Sequence, residues 1–144
     1  MFAKPKYGWT DVFIEEFAGA GSYIWSSLPE DCMWTFIQYL KNNKPVKLFF
    51  NEEGSDFTLF IENEKVKIVA NNYEGFTEEY NFNITGTALA KELAEDIEKY
   101  FEEWVTWPPD YGFFDEDEQE EQKKFYDARY KELGELLKEL KSLL

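Results

Sequence analysis

The chain has 144 residues, enough for one domain, and no histidine, which removes His-based catalytic triads and His metal sites from consideration. Its 44% hydrophobic content, with 14 Phe, 9 Tyr and 5 Trp, suffices for a real core. The net charge of −15 argues against direct nucleic-acid binding, which needs a cationic patch, and suits a basic protein partner as well as plain solubility.

The single cysteine, Cys32, excludes an internal disulfide framework. Residues 1–6 hold no apolar targeting region, and no apolar run is long enough to span a bilayer. Cytoplasmic residence and no membrane contact are the expectations.

In chain order, Tyr7 to Phe17 reads either as an edge strand or as a short helix, and Gly19-Ala20-Gly21-Ser22 breaks it. The first clear helix begins near Ser27. Ser27 and Glu30 have capping-box spacing, and Pro29 falls in the first turn. Met33, Phe36, Ile37 and Leu40 give its buried stripe, and Asn42-Asn43 with Pro45 stop it.

Val46 to Ile84 alternates apolar and polar residues in four runs, the pattern of a four-stranded meander. Opposed residues in an antiparallel pair must face the same side. A loop at Glu52–Ser55 then pairs Phe50 with Phe57, Leu48 with Leu59 and Val46 with Ile61. A two-residue loop at Asn63-Glu64 pairs Ile61 with Val66, Leu59 with Ile68 and Phe57 with Ala70. A third, five-residue connection pairs Ala70 with Phe76 and Val66 with Tyr80. It sets Lys67 opposite Glu79 and turns Glu78 inward beside Ile68. Either that end of the sheet is open to water, or a bulge at Glu78-Glu79 resets the phase, and the bulge is favoured.

A second helix is predicted from about Ala88 to Trp104 on the stripe Leu89, Leu93, Ile97, Phe101 and Trp104. Residues 105–118 form an acidic aromatic loop, and a last helix falls within 115–144. Its seam is Tyr126, Tyr130, Leu133, Leu137, Leu140 and Leu144. With about three heptads, that seam is better suited to packing within the chain than to a homodimer through the C-terminal helix. The fold class is therefore α+β, one domain over 1–144. It is an antiparallel four-stranded meander, with an optional extra N-terminal edge strand, packed by two or three helices.

No catalytic, cofactor-binding or metal-binding residue stands out. Cys32 lies beside Met33 inside a helix and reads as a small core residue. The acidic run from Asp115 lacks the glycine and the final glutamate of a calcium loop. The glycines at 19 and 21 lack the spacing of a phosphate loop. Charge is uneven: residues 1–44 sum to −1, 45–84 to −5 and 85–144 to −9. The best binding candidate is the stretch holding Trp107, Tyr111, Phe113, Phe114, Asp115, Glu116, Asp117 and Glu118. Aromatics supply anchoring area there, and carboxylates complement Lys and Arg. The bland alternative is a connecting loop whose aromatics fold back on the core. The second candidate is the outer sheet face at Phe49, Phe60 and Val69: Lys47, Phe60 and Lys67 fall in one cross-strand row, so lysine stems can cover that ring, and the last helix crosses the face, a partner does, or it stays half exposed.

A helix, the meander at Val46–Ile84, acidic helices and the aromatic-acidic segment at Trp107–Glu121 together resemble the small acidic immunity proteins of bacterial polymorphic-toxin and contact-inhibition systems. The resemblance implies a non-enzymatic protein that neutralises a cationic toxin domain by plugging its active site or an adjacent surface. It implies no cofactor. A self-associating adaptor and a small-ligand-binding domain are the alternatives.

Overall fold

The computed structural model describes residues 1–22, 27–106 and 119–144. The N-terminal segment is a hairpin of β1 (Trp9–Ile14) and β2 (Phe17–Ser22), which forms its own two-stranded sheet. Helix α1 (Leu28–Asn42) leads into β3 (Val46–Asn51), β4 (Asp56–Glu62), β5 (Lys65–Asn71) and β6 (Thr77–Thr85), an antiparallel sheet in that order. Helices α2 (Gly86–Lys99), α3 (Phe101–Thr106) and α4 (Gln119–Ser142) follow. The class is α+β, as the alternation predicts.

The first two sheet registers agree with the parity argument. Phe50 opposes Phe57, Leu48 opposes Leu59 and Val46 opposes Ile61, while Leu59 opposes Ile68 and Ile61 opposes Val66. The third is displaced. Ala70 opposes Glu78 and Ile68 opposes Tyr80, so β6 is shifted by two residues from expectation. The cause is Asn72. Its side-chain carbonyl accepts from Glu74 N and Phe76 N, and its own N–H donates to Phe76 O at 2.9 Å. That closes a tighter turn, with Gly75 at φ 82. A two-residue shift keeps the parity, so Glu78 does face inward, but it is exposed and accepts a hydrogen bond from the Tyr80 hydroxyl. The expected bulge at Glu78-Glu79 is absent. The register shifts instead opposite Lys65–Lys67, farther along β6.

The hairpin crosses the inner sheet face. Phe17 stacks edge-on against Phe57 at 5.0 Å and Tyr80 at 5.2 Å. A side chain at Gly19 would place its Cβ 2.7 Å from the Phe57 ring, so only glycine lets the strand pass this close. Helices α1 and α2 bury Met33, Phe36, Ile37, Leu89, Leu93 and Ile97 beside it. The second helix is broken rather than continuous to Trp104. Tyr100 departs from helical geometry at φ −111, and α3 then turns Trp104 and Val105 fully into the core, 5.5 Å from the Phe2 ring in the case of Trp104.

Helix α4 lies on α1 and α2 and not on the outer sheet face. Its Leu133, Leu137 and Leu140 are buried, so the seam is occupied within the chain. Arg129–Glu30 at 2.8 Å and Lys41–Glu139 at 3.7 Å run in step, which makes α4 parallel to α1. The start expected at residues 115–118 lies outside the described residues.

The capping box at Ser27 does not form. Ser27 makes no side-chain cap bond, and Glu30 is instead buried and bound by Arg129. Arg129 Nε donates to Val105 O, Nη2 to Trp104 O and Nη1 to Glu30 Oε1, each at 2.8 Å. Burial pushes the Glu30 carboxyl above its ordinary value, and the guanidinium pulls it part of the way back. Arg129→Met leaves that carboxylate buried without its partner and frees two helix-end carbonyls. The expected loss is about 3–5 kcal/mol in urea unfolding, with Glu30→Met/Arg129→Met losing less. A raised carboxyl favours the folded state below the unfolded value of 4.5 and loses that advantage as pH rises through the folded value. The deficit of Arg129→Met should therefore shrink on acidification from neutral pH.

Candidate interaction surface

Outer-face residues fall into cross-strand rows. Lys47, Phe60, Lys67 and Asn81 form one row, and Phe49, Thr58, Val69 and Glu79 the next. A third row, Asp56, Asn71 and Thr77, is a hydrogen-bonded ladder with both side-chain bonds at 2.8 Å. Phe49 is 62% exposed at the β3 end of its row. Phe60 and Val69 are half-buried. Lys67 explains part of that cover: its ammonium lies 5.5 Å from the Phe60 ring centroid and 3.6 Å from Glu79. Among the described residues no element crosses this face. The structure thus leaves Phe49 open, shields Phe60 with a lysine stem, and keeps the sheet's second side facing water.

The row chemistry is not acidic. Lys47, Lys65 and Lys67 stand among Glu62 and Glu79, and a cleft of about 440 Å³ beside Phe60 is lined by both signs. A second cleft of about 610 Å³ between α2 and the end of α4 is lined by Lys91, Glu95, Glu98, Lys99 and Lys141. Both signs line it, and Lys141 there binds Glu98.

The first candidate, Trp107, Tyr111, Phe113, Phe114, Asp115, Glu116, Asp117 and Glu118, lies outside the described residues. What is described are its flanks. On one side, α3 ends with its carbonyls held by Arg129; on the other, α4 carries that same arginine. Much of the acidity on α2 and α3 is already engaged. The Met1 ammonium lies 2.6 Å from Asp96 and 3.4 Å from Glu92, Lys4 lies 3.5 Å from Glu103, and Tyr130 donates to Glu102.

A polar cluster that sequence reasoning missed sits at the start of α2. Glu64, in the left-handed turn between β4 and β5, accepts from Thr87 N at 3.0 Å, from the Thr87 hydroxyl at 2.8 Å and from the Tyr39 hydroxyl. Its own N–H donates back to Tyr39 Oη at 3.0 Å. A Cβ at Gly86 would meet Ile61 and the Tyr39 hydroxyl at 2.6 Å, so glycine keeps the cluster closed. Burial and the bond to Glu64 push the Tyr39 phenol up to about 12. Burial works against the Glu64 carboxylate, but the bonds from Tyr39 and Thr87 outweigh it and hold its pKa below the ordinary value. The cluster therefore serves as an anionic cap on a helix start rather than as a proton-transfer pair. Its one advance signal was a glutamate in a two-residue turn, where small polar residues are the usual choice.

Comparison with family models, curated proteins and solved structures gives no match to this chain.

Two measurements test these assignments. Phe49→Ser should shift folding stability by less than about 0.5 kcal/mol, whereas Phe50→Ala, on the buried face, should cost about 3–5 kcal/mol. A comparable loss at Phe49 would mean that the outer face is covered. For Glu64, whose depressed carboxyl stabilises the fold above its unfolded value of 4.5 and loses that effect as pH falls through the folded value, the gap between wild type and Glu64→Gln should be largest at neutral pH and close under acid.

Proposed function

We propose that this chain is a non-enzymatic protein-binding domain, and specifically an inhibitor of the immunity type that neutralises a basic partner such as a cationic toxin domain. The observation that carries the reading is the run of seven carboxylates with no basic residue from Asp110 to Glu121, interleaved with Tyr111, Phe113 and Phe114. The elements on either side of this run are tied to each other by one arginine. Several acids of α2 and α3 make contacts within the chain, and the run adds a dense block of carboxylates in sequence for a partner. Complementary charge would speed encounter and exclude acidic competitors, while the aromatics would supply buried area. The open sheet face around Phe49 is the second surface a large partner would reach. A cytoplasmic location fits a protein that guards its own cell. The self-associating alternative is less well supported, since the α4 seam that it needs is filled by α1 and α2.

Titration calorimetry against a panel of basic toxin domains tests this. The expected result is a tight complex with at least one of them, weakening as salt rises. Replacing Asp115, Glu116, Asp117 and Glu118 by lysine should weaken it at least about tenfold. No complex with any domain, or one indifferent to both salt and charge reversal, would sink the proposal.

A further inference from the structure

Strand β6 is the outer strand of the sheet on the side away from β3. The turn bond from Asn72 N to Phe76 O sets which of its backbone groups are used. Bonded pairs alternate in an antiparallel ladder, so Glu78 and Tyr80 bond to β5, opposite Ala70 and Ile68. The N–H and C=O groups of Thr77, Glu79 and Asn81 therefore point away from the sheet. Among the described residues nothing takes them up.

Farther along the same strand the chain supplies its own partner. Glu15, in the β1–β2 turn, accepts from Asn83 N at 2.7 Å and from Ile84 N at 3.0 Å. Its carboxylate stands where the carbonyl of a neighbouring strand would be. The unclaimed edge is the stretch before it, Thr77 to Asn81, whose residues are exposed apart from half-buried Tyr80.

Charge selects the occupant. Glu79 lies on the outer side of this edge, Glu78 on the inner side, Glu74 in the adjoining turn, and Glu15 and Glu16 at the far end. One cation of β5, Lys67, lies within 3.6 Å of Glu79. We infer that the free edge of β6 takes an extended basic segment of a partner protein as a fifth strand. The segment's main chain bonds Thr77, Glu79 and Asn81, and its Lys or Arg side chains meet Glu79 and Glu78. Strand addition of this kind draws affinity from main-chain bonds and specificity from alternate side chains. The inference rests on the proposed basic partner and adds a docking mode at a site remote in sequence from Asp110–Glu121. The competing role for these carboxylates is protection of the edge against pairing of any kind.

Two strand-forming peptides of about ten residues, one alternating Lys with Val and Thr and one with Glu in place of Lys, separate the two roles when titrated into the full chain by amide NMR. The Lys peptide should shift the amides of Glu79 and Asn81 and slow their exchange, and the Glu peptide should do neither. Glu79→Pro removes an outward donor without touching the ladder, and should weaken binding of the Lys peptide at least about tenfold. The exchange measurement on the unaltered chain needs no variant to fold. Shifts confined to other surfaces, equal affinity for Glu79→Pro, or no binding would overturn the inference. So would association of the chain with itself that Glu79→Pro abolishes, because the occupant is then a second copy. A basic toxin domain whose binding falls on charge reversal at Asp115–Glu118 but not in Glu79→Pro would remove the edge site and leave the proposed function standing. Failure of every basic domain and of the peptide removes both.

Discussion

One guanidinium joins three helices. Arg129 is the chain's single arginine, and it closes the end of α3 at Trp104 and Val105 while neutralising Glu30 at the start of α1. A lysine could supply the charge but not three directed bonds in one plane. The geometry has a strict logic. The carbonyls at a helix end and a carboxylate near a helix start both need donors, and the fork serves both at once. The break at Tyr100 makes sense in this light, because it brings Trp104 and Val105 into the core and turns their carbonyls towards α4. The pair also decides how α4 lies, parallel to α1, with Leu133, Leu137 and Leu140 beneath it.

The parts of this fold that could be read in the sequence are those set by period. The pairings of β3 with β4 and of β4 with β5 follow from alternation, since a slip by one residue would carry Phe50 or Leu59 to the wet face. The β5–β6 register could be read only in its parity. A two-residue slip costs nothing in alternation, and the deciding bonds come from the Asn72 side chain, which periodicity does not register. Ser27 and Glu30 show the opposite failure. Their spacing matches a local cap, yet Glu30 answers to a residue 99 positions away. Glu64 and Glu15 likewise look like surface acids in turns and prove to be acceptors for backbone N–H groups of other elements. Local pattern cannot reveal such partners, because the demand they meet arises only when the elements come together. Of the candidate surfaces, the placement of Phe49, Phe60 and Val69 on the outer face was legible from the register alone. The lysine cover over Phe60 followed from the row of Lys47, Phe60 and Lys67, whereas the openness of this face among the described residues depended on where α4 docks.

The carboxylates, so abundant in composition, divide into two kinds when their contacts are considered. Glu15, Glu30, Glu64 and Asp96 accept bonds that fix strands, helix ends or the first residues of the chain. The ionisation of Glu30 and Glu64 is tied to the fold, in opposite senses. Others, such as Glu53, Glu74, Glu95 and Glu120, are exposed and serve the charge of the surface. The contacts leave the net charge of −15 unchanged, but they fix in place the part of it that the fold uses.

Glu15 has a consequence for the behaviour of the chain at high concentration. A long bare strand edge is a template on which copies can stack without limit. By occupying the N–H groups of Asn83 and Ile84, this one carboxylate shortens the template at β6 to the five positions from Thr77 to Asn81, and the bulge beside it bends the strand out of line. At roughly 3.4 Å per residue, what remains spans only about 17 Å. That is enough edge to seat one short segment, and too little, with glutamates on both sides, to propagate a fibre.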